Sequence, residues 1–280
     1  MIQKSVWSVH YPFRTSGLLR WLAAVGLSDA TENSVREMAM HNLDDVTKLP
    51  DDFDGQVRLF PLPNLVVFPH AMQPLHLFEP RYVEMLRESM SSDRLIAMAT
   101  LTPLQGTQWP TTQPPIASTV CLGRILTHAE VEDNRHNILL VGIRRAKLVA
   151  EVDSGKPFRM GQIDLIDDFD LHGATTEAAS LKQELLDAFG SVMPVGKSIQ
   201  QNLHQLMSDQ MSLGPITDIV SYTLPFSVED KLQLLRESDV GSRARFLLGR
   251  LKSGSIKFNT SNDQHDSKQG QVFPPPFSSN

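Results

Sequence analysis

The sequence has little cysteine: Cys121 is the only one among 280 residues. A single thiol excludes an intramolecular disulfide and any zinc site built from cysteines, and a reducing compartment is its natural setting. Because Cys121 alternates with apolar neighbours, we predict that it is a buried packing residue and not a nucleophile.

Long hydrophobic runs are also missing, which excludes a membrane-spanning helix. The apolar segment Leu18–Leu27 has the length of a signal-peptide core. However, Arg20 interrupts this segment, and no small-x-small cleavage site follows before Asp29. We therefore predict a cytoplasmic protein. A start of translation near Met38 or Met40, instead of Met1, is a second interpretation of this region.

Positive charge is not in excess, since the formal net charge is −6 and the isoelectric point is about 5.8. A general nucleic-acid binder needs a dense basic face to neutralise phosphates, so nucleic acid is disfavoured as a partner. The adjacent pair Arg144 and Arg145 is interpreted as solvated charge at a strand end.

Catalytic and metal-binding patterns are missing as well. The sequence has no G-x-S-x-G elbow, and none of its nine histidines has H-x3-H or HExxH spacing. In the segment Gly190–Ser198 the first glycine is one residue too early for a phosphate-binding loop, and the segment follows a predicted helix, so we interpret it as a helix–helix connection. We predict no catalytic residue, cofactor or metal ion. An acidic cluster is interpreted as a solvated turn at a strand end: Asp164, Asp167, Asp168 and Asp170.

The most informative segment is Val57–Tyr82, which reads VRLFPLPNLVVFPHAMQPLHLFEPRY. Proline donates no amide hydrogen and belongs at strand ends, edges and bulges, so the segment predicts two short strands. Pro80 suits the first turn of a helix, and Tyr82, Val83 and Leu86 follow at helical spacing. The predicted order is strand, strand, helix.

This segment resembles the opening of the Lon N-terminal domain, the substrate-recognition part of the ATP-dependent protease Lon, a module that also occurs alone in small bacterial proteins. His70 stands where the family usually has glycine, so a positive φ there would strain this residue. The resemblance continues through Val120–Val149 and again from Leu224 to Leu251, and it covers Gln56–Lys252. The matching residues, which we expect to be mainly structural, are Pro63, Asn64, Phe68, Pro69, Pro74, Leu75, Phe78, Glu79, Pro80, Arg81, Tyr82, Gly123, Arg124, Gly142, Arg144 and Arg145.

The predicted fold class is α+β. The many strands with one embedded helix indicate a small closed barrel, and the resemblance implies a PUA-like β pseudo-barrel. From Thr176 onward the apolar residues recur every three or four positions, which predicts a C-terminal α-helical bundle that packs against the barrel. We divide the chain into an extension and linker at 1–54, the barrel at 55–172, the bundle at 173–253 and a disordered tail at 254–280.

The resemblance implies a non-catalytic module that recognises unfolded or tagged polypeptides in protein quality control, with a protease or chaperone as a further partner. The chain shows neither a nucleotide-binding loop nor a Ser–Lys protease motif. The candidate peptide contacts are Phe68, Met72 and, in the proline-rich loop after residue 101, Trp109. An adaptor that docks to a protease or an RNA-containing partner, and a peptidase in its own right, are the alternatives.

Overall fold

The structure is a computed structural model, and it describes residues 46–102, 114–169, 176–193, 197–254 and 256. The strands in this part are β1 (Gln56–Leu62), β2 (Met72–Leu77), β3 (Leu95–Thr100), β4 (Thr119–Val131), β5 (Arg135–Val152) and β6 (Met160–Ile166). The helices are α1 (Pro80–Met90), α2 (Thr176–Val192), α3 (Lys197–Gln210), α4 (Leu213–Thr223), α5 (Val228–Arg236) and α6 (Val240–Lys252). The predicted α+β class is confirmed.

Five of the strands close into a ring. β1 pairs in parallel with β3, and antiparallel pairs then join β3 to β4, β4 to β5, β5 to β6 and β6 back to β1. Closure removes the two free edges that an open sheet would present. The closed barrel expected from the sequence is therefore present.

β2 lies outside this ring, against the first half of β5. The 18 residues of β5 are long enough to pair with β2 over 136–141 and with β6 over 145–152, while β4 runs along the other edge. β2 is thus a terminal strand, and proline is tolerated at such an edge. Pro74 occupies the middle of β2.

Two apolar clusters divide the strand residues between them. In β3, Leu95, Ala97 and Ala99 belong to a cluster that draws on all five ring strands, as the inside of a closed barrel requires. Ile96 and Met98 belong to a larger cluster that also contains α1 and the bundle helices. In the sequence Arg94–Leu101 this alternation of Leu95, Ala97 and Ala99 with Ile96, Met98 and Thr100 predicts a strand with two different faces, and the structure confirms it.

Helix α1 begins where the sequence predicts, with Pro80 in its first turn. Its buried face presents Tyr82 and Leu86 to the larger cluster, and the Tyr82 ring lies 4.5 Å from that of Phe60 on β1. Its C-terminal end is joined to β1 by Arg58, which donates to Glu88 at 2.9 Å.

Two bundle helices, α5 and α6, begin at side-chain caps. In the sequence, Ser227 followed by Asp230 resembles a capping box, and the structure confirms a cap there, because the Ser227 side chain accepts a hydrogen bond from the Asp230 amide at 3.0 Å. Asp239 caps α6 in the same way, by accepting from the Gly241 amide. No helix in the described ranges is both long enough and apolar enough to cross a membrane.

Candidate functional site

The outward face of β2 carries exposed apolar side chains. Side chains alternate along a strand, so Met72, Pro74, His76 and Phe78 share one face, which we call the β2 face. Met72 is 37% exposed and Phe78, just beyond the strand, is 47% exposed. The His76 ring lies 6.0 Å from that of Phe78 and its Nδ1 is 2.7 Å from Asn137 Oδ1. The face combines apolar area with a fixed polar group, as recognition surfaces do.

The outer edge of β2 has no strand partner among the described residues. The Ala71 carbonyl accepts from the Gly142 amide at 2.9 Å, and hydrogen-bonded positions alternate along an antiparallel pair. The backbone groups of Met72, Pro74 and His76 therefore point away from β5. Proline has no N–H to donate. Because the backbone of Pro74 points away from β5, the missing N–H removes no hydrogen bond between β2 and β5.

Tyr222 of α4 connects the bundle to the start of β2. Its hydroxyl donates to Gln73 Oε1 at 2.8 Å and lies 3.4 Å from the Met72 carbonyl oxygen. Burial raises the pKa of the Tyr222 phenol, so the hydroxyl stays protonated and remains a donor. This contact fixes one end of the β2 face against the bundle.

Lys231 of α5 lies next to Tyr222 and donates to its carbonyl oxygen at 2.8 Å. Burial lowers the pKa of the Lys231 ammonium from its ordinary value of 10.5 to about 8. In the described part of the chain no carboxylate forms an ion pair with this group. Its positive charge is therefore a cost to the folded state.

Lys231→Met is expected to raise the free energy of unfolding at pH 7 by about 1–3 kcal/mol, since one pKa unit corresponds to about 1.4 kcal/mol. The unfolded chain holds this proton more tightly, so the stability of the parent rises with pH between about 8 and 10.5 and is lowest below that window. The advantage of the variant should shrink across the same window. Urea unfolding at pH 7 and in steps to pH 10 measures both quantities. Lys252→Met, at a side chain that is 60% exposed, should change little, and an equal gain in this control would contradict the account.

A buried ionic network joins the barrel to the bundle. Arg145 of β5 is paired with Asp218 of α4, and both side chains are almost completely buried. Arg145 also contacts Asp168 at 2.8 Å, and the same carboxylate receives Arg243 of α6 at 2.5 Å. Two guanidinium groups and two carboxylates thus balance in charge. Buried ions are tolerated only when paired in this way.

His70 adds a fifth group to this network from the turn before β2. Its φ is +64°, so the expected strain at this position is present. Its Nδ1 lies 3.2 Å from Asp218 Oδ2, and its amide donates to the Gly142 carbonyl at 2.8 Å. The side chain therefore provides a contact that glycine could not, and this contact offsets part of the backbone strain.

One interpretation from the sequence is wrong and a second is incomplete. Arg145 was expected to be a solvated charge, but it is 2% exposed and ion-paired, while Arg144 is half-buried and donates to the Ile143 carbonyl. Asp168 was expected to lie in a solvated turn; it is exposed, but its carboxylate also pairs with Arg145 and Arg243. Asp164 and Asp167 are exposed, and Asp170 lies outside the described residues.

The three predicted peptide contacts lie in different environments or outside the described residues. Met72 lies on the β2 face, whereas the Phe68 side chain is completely buried in the larger cluster and offers no surface to a peptide. Trp109 lies outside the described residues, as do residues 194–196 of the segment that begins at Gly190. Gly190 itself lies within α2.

The remaining motif residues have structural positions. Asn64 takes a positive φ of 58°, and Arg81, in the first turn of α1, pairs with the N-cap residue Glu79 at 2.8 Å. Arg124 donates to the Lys48 carbonyl oxygen at 2.5 Å. A side-chain carbon on Gly123 would meet Leu140 at 2.4 Å. Tyr222, Asp218 and Arg243 were missed by the sequence reasoning. The available signal was a single charge inside an apolar helix, such as Asp218 within Pro215–Tyr222.

Comparison with known proteins identifies the family. The family model described as "ATP-dependent protease La (LON) substrate-binding domain" matches residues 56–253. The chain belongs to the LON substrate-binding domain family. Lon protease 1 of Bacillus subtilis is 24% identical over 195 residues, which are 70% of this chain and 24% of that protease. The Lon protease of Heliobacterium modesticaldum is 26% identical over 198 residues, 69% of this chain and 23% of that protease.

Solved structures show the same fold. The Lon N-terminal domain protein from Xanthomonas campestris superposes with a TM-score of 0.50 at 22% identity, covering 69% of this chain and 97% of that one. The N-terminal domain of the Mycobacterium avium complex Lon protease also gives 0.50, at 17% identity, covering 70% of this chain and 98% of that one. The chain spans about a quarter of the length of the curated LON relatives that it matches.

Proposed function

We propose that this chain is a polypeptide-recognition module of protein quality control, and that unfolded segments bind to the β2 face without being cleaved by the module. The observation that carries the proposal is the family match over residues 56–253, because the family is described as the substrate-binding domain of a protease. The proposed partners are unfolded or tagged polypeptides, with a protease or chaperone that acts on what is bound. The proposed location is cytoplasmic.

The β2 face suits a polypeptide for two physical reasons. Unfolded chains expose apolar side chains, and burial of Phe78 and Met72 against them removes apolar area from water. The outer edge of β2 is extended and has no strand partner among the described residues, and extended sheet edges recognise peptides. Along this edge the carbonyl oxygens of Met72 and Pro74 already accept from Tyr222 and Gln73. Because Pro74 interrupts this edge, pairing is short and side-chain contacts carry more of the affinity.

Isothermal titration of the protein with a reduced and alkylated unfolded polypeptide tests both parts of the proposal. The parent protein should bind, and Phe78→Ser should weaken binding about tenfold, since the loss of one buried aromatic contact corresponds to about 1.4 kcal/mol or more. Val149→Ser is the matched control, because Val149 is 53% exposed and lies on the part of β5 that pairs with β6 instead of β2. It should bind as the parent does.

The possible results distinguish the proposed function from the proposed binding site. Absence of binding by the parent would contradict the function, whereas binding that Phe78→Ser leaves unchanged would contradict only the β2 face. Mass spectrometry of the polypeptide after the titration should show it uncut. Cleavage products would instead favour a peptidase.

A further inference from the structure

Two histidines meet across the hairpin that joins β4 and β5. His128 Nε2 lies 2.9 Å from His136 Nδ1, and the ring centroids are 5.0 Å apart. The centroid separation is larger than the nitrogen separation by about two ring radii, so the two nitrogens face each other along the ring edges. The two nitrogens are within hydrogen-bond distance, and the tautomers of the rings decide which one donates.

Glu130 lies beside this pair on the same face of the hairpin. It is directly opposite His136 in the register of β4 and β5, and it lies two residues beyond His128 on β4. Directly opposed residues have Cβ atoms about 4.5–5.5 Å apart, which is within the reach of a glutamate side chain. Two imidazoles and one carboxylate therefore project from one surface of the ribbon.

We propose that His128 and His136 bind a divalent transition-metal ion, of the class of Zn²⁺, with Glu130 and water as the remaining ligands. Two nitrogens on one tetrahedral zinc are about 3.3 Å apart, because each Zn–N bond is about 2.0–2.1 Å. The pair needs to separate by only a few tenths of an ångström, with a turn of the His128 ring. His128 is exposed and can make this turn, so the metal has direct access from solvent.

His136 is suited to be the fixed ligand of the pair. It is 4% exposed, which restricts the movement of its ring, and its Nδ1 is the nitrogen that faces His128. Arg87 opposes binding by adding positive charge nearby, where it donates to Asn134 at 2.8 Å.

The proposed metal site is open to solvent, and its ligands take up their final positions only when the metal binds. Within the described ranges no group of three or more His, Cys, Asp or Glu side chains is already arranged around a metal position. Affinity should therefore be moderate, below that of closed structural zinc sites. No sequence pattern indicates this pair, because its members are brought together by the hairpin and not by a helical spacing.

Isothermal titration of the full chain with zinc chloride, in a chelator-free buffer at neutral pH, tests the site. We expect one zinc ion per chain with an affinity that His128→Gln weakens at least tenfold and Glu130→Gln weakens less. His76→Gln is the matched control, because His76 lies on the neighbouring strand β2 with its Nδ1 held by Asn137. It should leave the affinity unchanged.

Imidazole nitrogen NMR provides a second measurement that does not depend on a variant. Zinc should shift the Nε2 signal of His128 and the Nδ1 signal of His136 and leave those of His76 in place. Zinc binding that is the same in His128→Gln as in the parent, or no binding at millimolar zinc, would overturn the proposal.

Discussion

Asp218→Asn is expected to lower the free energy of unfolding by about 3–5 kcal/mol, because it leaves two buried guanidinium groups with a single carboxylate. Arg145 would lose its closest ion pair and would keep Asp168 and the Leu235 carbonyl oxygen. Arg243 would keep Asp168 and its bond to Thr217 at 3.0 Å. Urea unfolding monitored by circular dichroism gives the change directly.

Asp133→Asn is the control for this substitution. Asp133 pairs with Arg135 at 3.1 Å, but its side chain is 76% exposed, and surface ion pairs contribute little. Its positive φ of 60° suits asparagine equally well. The control should change stability by less than about 0.5 kcal/mol. A similar small change in Asp218→Asn would show that the network does not hold the bundle to the barrel.

Gly142→Ala should be at least as harmful, with an expected loss of about 3 kcal/mol or more through forced movement of the backbone. A side-chain carbon at this position would lie 2.0 Å from the Phe68 carbonyl oxygen and 2.9 Å from Cys121 Sγ. The backbone cannot move away easily, because the Gly142 amide and carbonyl both bond the turn before β2. Thermal unfolding of the variant measures the loss.

Gly249→Ala is the matched control for Gly142→Ala. Gly249 lies within α6, and an added carbon there meets nothing within 4 Å. Alanine favours a helix over glycine by about 1 kcal/mol, so this variant should be more stable than the parent. If both variants lost stability alike, the close approach at Gly142 would not be the cause.

Local sequence patterns were sufficient to predict where α1 and α5 begin and how the residues of β3 alternate. Pro80 in a first helical turn and Ser227 at a helix cap are signals that act within one turn of the chain, and both helices begin there. The alternation in β3 likewise depends only on the pleat of one strand. These expectations are confirmed because no distant residue is needed to decide them.

Pairing between distant residues was not predictable in this way. Arg145 and Asp218 are 73 positions apart, and His128 meets His136 only because the hairpin aligns them. From sequence alone, a charged residue near a strand end is predicted to be solvated, because the helix that covers it is distant in the chain. The same reason explains Asp168, whose two arginines come from β5 and α6.

The candidate site was only partly accessible from sequence. Phe68 and Met72 both lie near the proline-kinked turn before β2, and both are predicted as peptide contacts. Met72 is exposed on the β2 face, whereas Phe68 is buried. Sequence periodicity cannot distinguish Phe68 from Met72, because their different exposure depends on which side of the turn packs against the barrel. Tyr222 enters the site from a helix about 150 residues later.

Methyl NMR of methionine-labelled protein, titrated with an unfolded polypeptide, tests most directly whether the β2 face is the recognition surface. Met72 lies on that face, whereas Met207 is buried and lines a small apolar cleft between α2 and α3, so the two signals distinguish the β2 face from the bundle. We predict that the Met72 signal shifts with the polypeptide while the Met207 signal stays in place. A shift of Met207 with an unchanged Met72 would contradict the account.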